Sequence, residues 1–84
     1  MKINSLKNTI KLMISDDYKE RFKAEYYQLE IRRNKLILML DAWDDGKLPF
    51  TPTCSRELYD EQLHYMNGYL RILKRRAHDE GVIL

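Results

Sequence analysis

Residues 16–46 read DDYKERFKAEYYQLEIRRNKLILMLDAWDDG, and no proline or glycine breaks the run before Gly46. Asp17 and Glu20 have capping-box spacing, and acidic residues suit the positive end of a helix dipole. Gly46 is a natural left-handed terminator at the other end. The spacing predicts one helix over 16–44, a rod of roughly 42 Å at 1.5 Å per residue. One face carries Phe22, Tyr26, Leu29, Arg33, Leu36, Leu40 and Trp43, in the alternating steps of four and three that make a heptad seam. A second, broken stripe holds Tyr27, Ile31 and Leu38. With Ile37 and Met39, the second half of the rod is apolar nearly all round and is expected to be its most buried part.

Working outward, residues 46–53 (GKLPFTPT) form a proline-bearing connection long enough to reverse the chain. Pro52 disfavours helical geometry at Thr51. A further helix is predicted over 54–79, with a seam of Tyr59, Leu63, Met66, Leu70, Leu73 and Ala77. Leu58, Tyr65, Tyr69 and Ile72 flank it. Acidic Glu57, Asp60 and Glu61 open that helix and basic Arg71, Lys74, Arg75 and Arg76 close it, as the macrodipole favours. Gly81 is the expected stop, and 82–84 (VIL) an apolar tail in need of a groove. Ahead of the long helices, Ile3, Leu6, Ile10 and the run 12–14 suggest a short amphipathic helix over about 4–14. The fold class that follows is all-α: a single domain of one short N-terminal helix and two long antiparallel helices.

A hairpin hides one stripe from each helix, yet both helices carry more than one. At 84 residues the core of a lone hairpin is also too small for comfortable stability. Assembly into a homo-oligomeric bundle is therefore expected. The composition, 44% hydrophobic and 33% charged with three glycines, is that of a helical globular chain. A net charge of +2 is too small for a general polyanion binder. The cations are grouped instead: Lys2, Lys7 and Lys11; Arg32, Arg33 and Lys35; and the basic end of the last helix. No run is long enough to span a bilayer and no signal-peptide pattern opens the chain, so a cytoplasmic protein without a membrane partner is expected.

One cysteine, Cys54, excludes an intramolecular disulfide, and no Cys/His cluster has zinc-ligand spacing. His64 and His78, fourteen residues apart on one helix, cannot share a metal within one chain. No glycine-rich phosphate loop, paired-carboxylate signature or nucleophile with a base is present, which argues against an enzyme, a cofactor or a metal centre. Nor does the long connection suit a helix-turn-helix reader of specific DNA. Six tyrosines are the remaining feature. A tyrosine can stack on a base while arginine or lysine holds phosphate. Tyr18, Lys19, Tyr26, Tyr27, Arg32 and Arg33 bring both chemistries together and form the candidate ligand-binding set. Interface packing is the alternative for each tyrosine. Arg33, lying on the seam, must be paired: either with Glu30 and a carboxylate of a neighbouring helix, or with an anionic ligand.

The runs SDDYKERFKAEYYQLEIRRNKL (15–36), TPTCSRELYDEQLHYMNGYLRILKRRA (51–77) and EGVIL (80–84) resemble a family of short helical proteins encoded by tailed bacteriophages and prophages, including crAss-like phages. That resemblance implies phage origin and says little about activity. A second one, carried by the overall layout and the step Ser55, Arg56, Glu57, is to phage anti-CBASS sponge proteins, homo-oligomers that sequester cyclic oligonucleotide signals without degrading them. By this resemblance the chain is expected to be a counter-defence protein in the infected bacterial host. Its ligand would be a small anionic nucleotide-type molecule held between protomers. The alternatives are a protein-binding inhibitor of a host or defence protein, or a nucleic-acid accessory protein.

Overall fold

Two side-chain caps set the frame. Asp17 accepts from the Lys19 backbone N–H at 2.9 Å and Ser55 from that of Leu58 at 3.2 Å, each answering a donor that the first turn of a helix leaves unpaired. The helices they start are α2, Tyr18–Asp44, and α3, Arg56–Glu80. The reciprocal arm of the expected capping box does not form. Glu20 instead accepts from the Ser15 hydroxyl at 3.2 Å, and Ser15 accepts from the Asp17 N–H at 3.1 Å. Gly46 follows the end of α2 at φ +67° and Gly81 ends α3 at φ +71°. Beyond Gly81 the Val82 N–H reaches back to the Ala77 carbonyl at 2.8 Å, the closing bond of a Schellman motif.

The structure is a computed structural model that describes residues 3–84; Lys2, of the first basic group, lies outside the described residues. Among those residues there is no strand. The two long helices pack against each other, and the molecule measures 43 × 24 × 18 Å, its long axis close to the rod length expected of α2. The seams face as their spacing predicts. Phe22, Tyr26, Leu36 and Leu40 of α2 are buried, as are Leu70, Leu73 and Ala77 of α3, with Leu29, Trp43, Tyr59, Leu63 and Met66 half-buried.

Two expectations are corrected. The N-terminal helix is shorter and tighter than 4–14: a 3₁₀ turn, Leu6–Thr9, runs into one α-helical turn, α1, Ile10–Met13. Its polar side chains bond locally, Thr9 to the Leu6 carbonyl at 2.7 Å and Ser5 to Asn8 at 3.0 Å, and such bonds compete with a regular helix. The second correction concerns where α2 is most buried. The main core cluster lies at the other end of the rod, where Phe22 and Tyr26 meet Leu70, Leu73, Ala77 and Val82, whereas Leu38 is 69% exposed. The two long helices and Val82 meet there. The N-terminal segment folds onto α2, α3 covers a different face, and Val82 closes the end. Of the apolar tail only Val82 is buried; Ile83 and Leu84 are exposed.

Candidate functional site

Because the 3₁₀ turn and α1 both lie on α2, a cleft is left between this segment, α2 and the tail. It encloses about 620 Å³, within the range of small-molecule sites. Lys7 and Lys11 line it from the N-terminal segment, four residues apart, and Lys23 and Tyr27 from α2, also four apart. In helical backbone that interval stacks side chains on one face, so each wall offers two. Glu20, Asn8, Leu12 and Ile83 complete much of the lining. Three lysines against one glutamate leave a formal excess of +2, and among the described residues no ion pair holds any of the three ammonium groups.

Tyr27 is the aromatic wall. Its ring meets that of Tyr26 edge-on, centroids 5.3 Å apart at 79°, and Tyr26 is itself fixed in the core, 5% exposed, donating to Glu30 at 2.9 Å. Burial, and then the Glu30 carboxylate, push the Tyr26 phenol up to about 12. A buried neighbour thus orients a half-buried ring whose outer side faces the cleft. Positive charge, one aromatic ring and the Asn8 carboxamide could hold an anion bearing a flat heterocycle.

The six residues singled out by their chemistry do not converge on this cleft. Tyr27 lines it. Tyr18 and Lys19 instead tie the start of α2 to the end of α3: Tyr18 donates to Glu80 at 2.6 Å and accepts from Arg76 at 3.1 Å, and Lys19 donates to the Gly81 carbonyl at 3.3 Å. Arg76 also bonds Glu80 at 3.1 Å and lies 5.0 Å from the Phe22 ring centre. Those contacts with Tyr18 and Arg76 hold the Glu80 carboxyl below its ordinary value. Tyr26 is core and Arg32 is exposed. Arg33 meets neither a carboxylate nor the cleft; it donates to the carboxamides of Asn34 at 2.8 Å and Asn67 at 2.9 Å, while Glu30 serves Tyr26. The cleft's own cations, Lys7, Lys11 and Lys23, are not in the sequence-derived set. Their four-residue intervals were the available signal, but only the fold-back of α1 brings them to one place.

Among the described residues no group of His, Cys, Asp and Glu could hold a metal ion, and no helix is long and apolar enough to cross a membrane. No curated protein and no solved structure matches the chain. A family model does, over residues 16–79, which takes in α2, the connection and nearly all of α3, with Glu20, Lys23 and Tyr27 of the cleft. The chain belongs to the Sequestin family, whose name denotes sequestration.

Proposed function

We propose that this chain sequesters a small anionic, cyclic nucleotide-type signalling molecule without cleaving it, as a phage counter-defence protein acting stoichiometrically in the cytoplasm of an infected bacterium, and that it does so as a homo-oligomer. The observation that carries the reading is the cleft: a volume suited to a small molecule, three lysines without ionic partners among the described residues, and a tyrosine ring held by the core. The family name agrees with it. In this reading Lys7, Lys11 and Lys23 hold phosphate and Tyr27 stacks on a base, so that the ligand sits within one protomer and not between two as the resemblance implies. Tyr18 and Lys19 brace the bundle rather than touch ligand. No nucleophile or general base is assigned, so the ligand leaves as it entered.

The experiment is isothermal titration of the purified protein against a panel of cyclic oligonucleotides and ADP-ribose derivatives, followed by denaturation and mass spectrometry of what is released. Saturable binding of one class, with the ligand recovered at its original mass, is the expected result. No binding across the panel, or recovery of a cleaved product, would sink it.

A further inference from the structure

The outer face of α3 carries a feature that the hairpin does not use. Leu58, Tyr65 and Ile72 follow one another at heptad intervals on the side away from α2 and are 54%, 65% and 54% exposed. In this face sits Gly68, in mid-helix, where glycine weakens a helix relative to alanine. Among the described residues nothing requires it: a Cβ at Gly68 would meet no atom within 4 Å. A shallow groove of about 500 Å³ opens over it, between Tyr65, Arg71 and Ile72. The charges beside the stripe are also ordered. Glu57 and Glu61 lie toward its start and Arg71 and Arg75 toward its end, and among the described residues no ion pair holds Glu57, Glu61 or Arg71.

We propose that this face is where a second copy of the chain docks, α3 against α3 and antiparallel, about a two-fold axis passing between Tyr65 and Gly68. An antiparallel pair sets the acidic start of each helix against the basic end of the other, which a parallel pair would not. It places the Tyr65 ring of each copy over the Gly68 gap of its partner, and the missing side chain lets the backbones approach. Leu58 and Ile72 then cover one another at the two ends. The pairing is self-complementary, as a two-fold interface requires. It rests on the oligomeric part of the reading above and supplies its surface, while the Lys11, Lys23 and Tyr27 cleft stays open on another side of each protomer.

Sedimentation velocity without ligand tests this directly. Wild-type protein is expected to sediment as a dimer or a multiple of one. Gly68→Leu, which fills the gap, is expected to weaken association by about tenfold or more with helical circular dichroism retained. Glu61→Arg and Arg71→Glu should each weaken it as well, and the double exchange should restore it, a rescue that a merely structural role would not produce. A monomeric wild type at several hundred micromolar would overturn the surface and the oligomeric reading together. An oligomer unmoved by all three single variants would overturn the surface alone. Ligand titration of Gly68→Leu, expected to match wild type per protomer, keeps the two readings separable.

Discussion

The Gln28 carboxamide on α2 donates to the Thr9 hydroxyl at 3.0 Å, and that hydroxyl in turn donates to the Leu6 carbonyl at 2.7 Å. Thr9, 1% exposed, is the buried polar residue among the described residues. This relay fastens the N-terminal segment to α2 and so builds one wall of the cleft. Thr9→Val keeps the shape and strips the hydroxyl, leaving Gln28 with the weak sulfur acceptor of Met13 at 3.4 Å. A loss of about 1–3 kcal/mol is expected for the stranded group. Hydrogen exchange should locate it, with protection falling across residues 6–13 and holding in α3. Equal loss everywhere would mean that the relay is not a local fastening.

Leu73 is fully buried, 0% exposed, in the cluster of Phe22, Tyr26, Leu70, Ala77 and Val82. Leu73→Ala removes packed atoms where α2, α3 and Val82 meet. A destabilisation of about 2–5 kcal/mol is expected from urea unfolding. Leu38→Ala, at a site 69% exposed, should change stability by only about 0.5 kcal/mol. Comparable losses at the two sites would contradict the placement of the core.

Tyr26 gives a prediction in alkali. Its phenol is raised from 10.0 to about 12 by burial first and by Glu30 second. A folded value above the unfolded one means that the stabilisation is complete below pH 10 and is lost as pH rises through 12, because the unfolded chain ionises first. Ultraviolet titration should therefore show a tyrosinate step near pH 12 that Tyr26→Phe abolishes. If that step survives the substitution, the buried phenol is not its source.

The seam of α2 is legible in the sequence because Phe22, Tyr26, Leu36 and Leu40 repeat at heptad intervals and no glycine or proline interrupts them. Asp17, Gly46 and Gly81 are legible for a related reason, since capping and left-handed turns depend on local chemistry. The cleft is not. Lys7 and Lys11 lie in a segment whose own pattern reads as an ordinary amphipathic helix, yet Ile10 and Ile14, two of its apolar markers, are exposed, Leu6 and Leu12 are only half-buried, and Thr9 is its buried residue. A buried threonine satisfied by Gln28 leaves no periodic hydrophobic signal. For Tyr18 and Arg33 the residue type is equally uninformative: phenol and guanidinium bind a ligand or a neighbour by the same chemistry, and only the approach of Glu80 and Asn67 decides.

Acid should loosen both ends of the hairpin. Arg56 forks onto both oxygens of Asp44 and lies 5.5 Å from the centre of the Trp43 ring, and it holds the Asp44 carboxyl below its ordinary value. Glu80 is lowered in the same direction by Tyr18 and Arg76 at the opposite end. Depressed carboxyls stabilise the fold above their unfolded values, 3.8 and 4.5, and that contribution fades as pH falls through the folded ones. The melting temperature should thus decline below about pH 4.5. Glu80→Gln should flatten part of that decline, and Arg56→Ala should shift the emission of Trp43, the single tryptophan. An acid decline unchanged in Glu80→Gln would remove Glu80 from the account.

The cleft makes the sharpest demand on ligand binding. An ammonium that meets phosphate contributes about 1.5–3 kcal/mol, so Lys23→Ala should weaken binding by roughly 10- to 100-fold. Tyr27→Ala removes the stacking surface, about 1–3 kcal/mol, whereas Tyr27→Phe keeps the ring and should bind nearly as wild type does. Rising salt should weaken binding to the wild type and weaken it less in Lys23→Ala, since one ionic contact has already gone. Tyr18→Phe tests the rival placement. Tyr18 braces Glu80 and Arg76, so its loss should lower the melting temperature and leave affinity per folded protomer intact. Calorimetry on the four variants separates the two arrangements: a large affinity loss at Tyr18 with none at Lys23 or Tyr27 would move the ligand out of the cleft and onto the junction of α2 and α3.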